Sequence, residues 1–104
     1  MSVDYSASLY YGIEVSNDWV ESLPEEVYIT LREEDEYLHR MDSYTDSPVW
    51  IFGIYVAGSD EAMATRVDQD KILSAYEELI PCANKGKELG VPADWDYYIG
   101  CEVH

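Results

Sequence analysis

YYGIEV, residues 10–15, is a six-residue phrase that returns as IFGIYV at 51–56 and as YIGCEV at 98–103, each time with glycine in the third place. Taken with a period of two, residues 5–15 set Tyr5, Ala7, Leu9, Tyr11, Ile13 and Val15 on one face, and Ser6, Ser8, Tyr10, Gly12 and Glu14 on the other. Such alternation marks a half-buried strand. The second copy divides likewise, with Phe52, Ile54 and Val56 opposite Ile51, Gly53 and Tyr55. The third sets Trp95, Tyr97, Ile99, Cys101 and Val103 inside, and Asp94, Asp96, Tyr98, Gly100 and Glu102 outside. All three glycines fall opposite the apolar trio, close to Tyr10, Tyr55 and Tyr98. A row of this kind either permits strong local twist of the sheet or leaves a shallow strip for a partner.

The segments between the copies set the architecture. Ser22-Leu23-Pro24-Glu25 has the spacing of a capping box with proline in the first turn, and predicts a helix over about 23–34. Its β-branched stretch, Val27 to Thr30, leaves a strand open as the alternative. Residues 37–44, a turn at Thr45-Asp46-Ser47-Pro48 and a strand from Val49 form a hairpin. Residues 57–67 have the composition of a loop. Asp68 is placed to cap a second helix carrying Ile72, Ala75, Tyr76, Leu79 and Ile80 at helical spacing. Pro81 interrupts it, and a shorter helical piece over 82–89 ends at Gly90.

The order strand, helix, strand, strand, helix, strand resembles the ferredoxin-like βαββαβ arrangement. That resemblance implies an α+β two-layer sandwich with a four-stranded, mainly antiparallel sheet and two helices on one face. Its strands would stand in the order fourth, first, third, second. The chain, 104 residues, is then a single domain over 1–104. The expected core is Tyr11, Ile13, Val15, Phe52, Ile54, Val56, Ile99, Cys101 and Val103, covered by Ile72, Tyr76 and Leu79.

Composition narrows the function. Twenty-two Asp and Glu against six Lys and Arg give a net charge of −16. Such a chain repels nucleic acid and anionic membranes, so an electrostatic partner is expected to be a basic protein surface. No apolar run reaches the ~20 residues of a membrane span, and MSVDYSASLYYG has no signal-peptide pattern, so the expected compartment is the cytoplasm. There, Cys82 and Cys101, which form no CxxC pair, read as two buried thiols.

No cofactor or metal is expected. His39 and His104 have no ligand spacing, and neither GxGxxG nor a P-loop occurs. Asp68-Gln69-Asp70 begins like a calcium loop but has Ile72 at the third ligand and no loop glycine. The pairs Asp94/Asp96 and Glu14/Glu102 would need burial to separate their pKa values before acting as acid and base. The expectation is a non-enzyme, with a small carboxylate-dependent enzyme as an alternative.

Two groups of residues are candidates for partner binding. Glu33, Glu34, Asp35 and Glu36 end the first predicted helix, where the dipole disfavours negative charge, and Glu25, Glu26, Asp42 and Asp46 are near in sequence. The second group is Tyr10, Tyr55 and Tyr98 with Glu14 and Glu102, on the sheet face expected to be open. Ten tyrosines against one phenylalanine favour a surface that is wet alone and dry when bound. An aromatic sheet face looks like that of RNA recognition motif domains, but here it carries glutamates and neither RNP motif, so direct nucleic-acid binding is not expected.

A compact, strongly acidic chain without a catalytic motif resembles the small phage-encoded inhibitors that mimic DNA, among them anti-restriction, anti-CRISPR and uracil-DNA glycosylase inhibitor proteins. DWDYYIGCEV and DYSASLYYGIEV are also similar to small proteins of tailed phages. The resemblance implies an inhibitor that fills the basic nucleic-acid-binding groove of a host defence or DNA-processing enzyme. The alternative is a non-catalytic interaction module, or a homodimer formed through the tyrosine face.

Overall fold

A computed structural model describes residues 5–41, 48–60 and 66–103, and the side chains of 7–41, 48–59 and 66–100. In chain order the elements are β1 (Tyr5–Val15), α1 (Asn17–Ser22), α2 (Glu25–Ile29) running into a π-helical turn (Thr30–Glu34), β2 (Leu38–Met41), β3 (Val49–Asp60), α3 (Gln69–Glu77), α4 (Leu79–Glu88) and β4 (Asp96–Val103). The fold is α+β, with a four-stranded open sheet in the order β2-β3-β1-β4. Every neighbouring pair of strands is antiparallel.

The first two glycine phrases pair about their glycines. Gly12 faces Gly53, Tyr10 faces Tyr55, Tyr11 faces Ile54 and Ile13 faces Phe52. The strands approach so closely there that a Cβ on Gly12 would stand 2.7 Å from the Gly53 Cα, and one on Gly53 2.5 Å from the Gly12 Cα. Side-chain-free residues are therefore a steric requirement of this pair. The third glycine is displaced along β1, since Gly100 faces Ser8.

On the helix side, Trp50, Phe52, Ile54 and Val56 of β3 are buried with Leu38 of β2, and Leu9, Tyr11, Ile13 and Val15 of β1 pack half-buried beside them. Val20, Leu31, Tyr37, Cys82 and Val91 complete this core, and Ile72, Tyr76 and Leu79 pack against it as expected. Gly86 lets α4 settle on the Phe52 ring, which an added Cβ would meet at 2.8 Å.

The expected burial of β4 does not hold at Tyr97 and Ile99, which are 53% and 76% exposed. Helices α3 and α4 stand over β3. The edge strand β4 lies beyond their cover, and the Tyr97 hydroxyl only reaches that of Tyr76. The side chains of Cys101 and Val103 lie outside the described residues.

The opposite sheet face is not open. The two edge strands, β2 and β4, come into contact, and the space a Gly100 side chain would need is filled by Met41. A sheet whose edges meet is strongly coiled, and coiling encloses a second small core of Tyr10, Met41 and Ile51 with Val49 and Tyr98 against it. His39 reaches across Gly53 to the Tyr10 ring, with centroids 4.4 Å apart, and its Nε2–H donates to the Gly53 carbonyl at 3.0 Å. The glycine row thus serves sheet coiling.

Burial, with a smaller contribution from Arg32, pushes the His39 pKa down to about 4 against the opposing Gly53 hydrogen bond. A histidine depressed from 6.5 contributes stability that is complete above pH 6.5 and is lost as pH falls through 4. The loss should reach about 3 kcal/mol. Relief of acid–acid repulsion acts the other way. Denaturation of wild type and His39→Gln from pH 7 to pH 4 should therefore show a stability difference that shrinks with acid. A constant difference would mean that His39 titrates normally.

The helix layer departs from two helices. In place of one helix over 23–34 there are α1 and α2, because the residue before a proline is driven to extended backbone and Leu23 adopts ψ 139°. Ser22 ends α1, its Oγ donating to the Trp19 carbonyl, while Ser16 is the cap, accepting from the Trp19 N–H. The strand alternative for Val27 to Thr30 is not adopted. Asp68 caps α3 as expected, accepting from the Asp70 N–H at 3.0 Å. The α3/α4 break falls at Glu78, where the Pro81 ring would crowd the Glu77 carbonyl and offers it no N–H. Gly90, at φ 78°, closes α4 with the Val91 N–H on the Gly86 carbonyl. Residues 57–60 continue β3 instead of starting a loop, pairing with 6–9 of β1 after a bulge at Val56. The turn predicted at 45–48 lies outside the described residues except Pro48.

Candidate functional site: an acidic helical ridge

The acidic residues of the first connection are carried on α1, α2 and the π turn, pinned to the sheet by few side chains. Val20 and Leu31 are buried, and Val27 and Tyr28 pack half-buried on the core. Trp19 and Leu23 pack half-buried beside them, and the acidic side chains of the layer face outward. Glu25 and Glu26 occupy the first turn of α2, where carboxylates suit the dipole. The π turn follows, with the Asp35 N–H on the Thr30 carbonyl at 2.8 Å and the Thr30 hydroxyl donating to the Glu26 carbonyl at 2.9 Å. A π turn widens the helix by one residue and recurs at functional sites. Glu33, Glu34, Asp35 and Glu36 are all exposed around its end.

Glu36 stands at φ 57°, the left-handed region that glycine usually occupies at a helix end. The next N–H, of Tyr37, then closes on the Leu31 carbonyl at 2.9 Å. A side chain in this conformation costs about 1–2 kcal/mol. Glu36→Gly is expected to raise stability by about 1 kcal/mol in denaturant unfolding with an unchanged slope. Glu34→Gly, inside the π turn, should lower it by a similar amount. Equal effects of the two variants would contradict the left-handed assignment.

Arg32, the one cation within this stretch, is turned away from the acids. Its guanidinium lies 5.3 Å from the Trp50 ring centroid and donates weakly, at 3.4 Å, to the Leu38 carbonyl. Among the described residues the only ion pair is Lys85 with Glu88, on α4. The ridge carboxylates are therefore exposed and unneutralised. Beneath them, the Tyr37 hydroxyl donates to Glu78 Oε2 at 3.0 Å, and burial and that carboxylate hold the phenol well above its usual pKa. Cys82 is fully buried, and burial followed by Asp35 and Glu78 pushes its thiol up to about 12. Such a thiol is a core residue, not a nucleophile.

The structure brings Glu25, Glu26, Glu33, Glu34, Asp35 and Glu36 together on one layer; Asp42 and Asp46 lie outside the described residues. It adds two exposed acids that the sequence patterns did not single out, Asp18 and Glu21 of α1. Their signal was available in Ser16-Asn17-Asp18, a capping sequence followed by the apolar pair Trp19-Val20. The tyrosine group is dispersed in environment. Tyr10 is buried, Tyr98 is half-buried, and Tyr55 is 49% exposed with its hydroxyl over Gly58. Glu14 is exposed and faces Ile51; Glu102 pairs with Ser6 along the backbone, its side chain outside the described residues. Among the described residues, no three His, Cys, Asp or Glu side chains form a group able to hold a metal ion. No helix among them is long and apolar enough to cross a membrane. No protein-family model, curated protein or solved structure matches the chain.

Proposed function

We propose that the protein is an acidic inhibitor that occupies the basic nucleic-acid-binding groove of an enzyme, its carboxylates standing in for phosphates. The observation that carries this reading is the ridge itself: Asp18, Glu21, Glu25, Glu26 and Glu33 to Glu36 are exposed in succession along α1, α2 and the π turn, and none of them is ion-paired among the described residues. Nucleic acid presents one charge per ~3.4 Å of strand, so a mimic needs many spaced carboxylates instead of one strong pair. Left-handed Glu36 is charge kept where neutral glycine would be more stable, which suits selection for surface charge. A phage origin and a host defence or DNA-processing enzyme as target belong to the same proposal. So does the reading of the fold as a coiled ferredoxin-like sandwich: counted from the β4 edge, the strands run β4-β1-β3-β2.

A second reading, a non-catalytic interaction module, has its own support in Leu73, Ile80, Tyr97 and Ile99, which are exposed on α3, α4 and uncovered β4. Its association would be apolar and insensitive to salt. The two readings separate when partners are captured from a host lysate at low and high salt. A nucleic-acid enzyme that is held at low salt, released by high salt and displaced by added DNA supports mimicry. A partner retained in molar salt supports the module.

A further inference from the structure

Beside the ridge, α1 and α2 line an open cleft of about 620 Å³ against the β2–β3 edge. Glu21 and Glu25 stand at its rim, Tyr28 and Trp50 form an aromatic wall, and Arg40 is the one cation among its lining residues. The two rings meet edge to face at 6.2 Å between centroids. Glu21 is held in place by a relay: the Trp50 indole N–H donates to Asn17 Oδ1 at 3.0 Å, and Asn17 Nδ2 donates to Glu21 Oε1 at 3.1 Å. Trp50 is buried and already holds the Arg32 guanidinium at 5.3 Å, so the half-buried Tyr28 is the ring that the cleft offers.

We propose that this cleft takes an arginine side chain of the partner protein and anchors the complex there. The inference rests on the inhibitor reading, and it names the group that the partner must present. A flat guanidinium stacks on an aromatic ring and forms paired hydrogen bonds with a carboxylate, which a lysine ammonium cannot do as well. An arginine that both stacks and pairs in this way contributes more binding energy than an isolated exposed charge. Arg40 lines the cleft and forms no ion pair among the described residues, so it competes with the incoming side chain for the two carboxylates.

The test is an NMR titration of the intact protein with N-acetyl-arginine methylamide, with the uncharged citrulline analogue as control. Arginine should shift the Tyr28 resonances and the Trp50 indole N–H saturably, and citrulline should bind at least about fivefold more weakly. Glu21→Gln with Glu25→Gln should weaken arginine about tenfold, and Arg40→Ala should strengthen it about threefold. Equal binding of the two probes, or arginine shifts confined to residues 33–36, would overturn the cleft assignment. The two proposals fail separately. If arginine fills the cleft but the protein leaves nucleic acid on its target, the cleft stands and mimicry falls. If reversing the charges of Glu33 to Glu36 abolishes competition while arginine never registers in the cleft, mimicry stands and the cleft falls.

Discussion

Gly53→Ala should destabilise the protein by about 3 kcal/mol or more, at the upper end of what overpacking costs. The added methyl would meet backbone of the neighbouring strand, 2.5 Å from the Gly12 Cα and closer still to the Tyr11 carbonyl oxygen. Backbone held by a ladder on both sides cannot yield as a side chain can, so the β1–β3 pair would have to part where the sheet coils. Gly12→Ala should behave alike, since it meets the Phe52 carbonyl. Gly100→Ala is the informative contrast, because there the obstruction is the flexible end of Met41. Its cost should be about 1 kcal/mol. Denaturant unfolding of the three variants checks this directly. A loss under about 1 kcal/mol at Gly53, or equal losses at all three sites, would remove the close approach as the reason for the repeated phrase.

Reversing Glu33, Glu34, Asp35 and Glu36 together to lysine should abolish binding to the target while leaving the fold intact. All four side chains are exposed, and none is ion-paired among the described residues. Single exposed charges contribute about 0–1 kcal/mol each, so Glu33→Lys alone should weaken binding only severalfold. Four reversals change the local charge by eight units and turn attraction to a basic groove into repulsion. Circular dichroism would confirm folding, and competition against DNA would read the loss. Full competition by the folded fourfold variant would show that the ridge is not the binding surface.

Most of the architecture was legible because alternation and caps are local. The period-two faces of β1 and β3, the Asp68 cap and the Gly90 stop each depend on a few neighbouring residues, and each is found in place, whereas the helix break expected at Pro81 falls three residues earlier, at Glu78, with Pro81 inside α4. The division at Leu23-Pro24 was equally local, but the Ser-x-x-Glu spacing competed with the effect of proline on the residue before it. What the sequence did not show was the coil of the sheet. Tyr10, Gly53 and His39 converge only because β1, β2 and β3 curl together, so a face expected to be open became a small core. For the same reason the tyrosine group divided, and Ile99 was exposed where helix cover ended. The acidic ridge was legible as charge density, while its extension onto Asp18 and Glu21 depended on how α1 packs.

The central claim is most directly tested by measuring competition between the protein and duplex DNA for the captured nucleic-acid-binding enzyme as a function of salt. Exposed carboxylates facing a basic groove are screened over a Debye length of about 10 Å at 0.1 M, and a mimic engaging several of them must lose affinity steeply. The apparent inhibition constant, corrected for the salt dependence of DNA itself, should weaken at least about tenfold between 50 and 200 mM salt. An inhibition constant that is the same in dilute and molar salt would contradict charge mimicry.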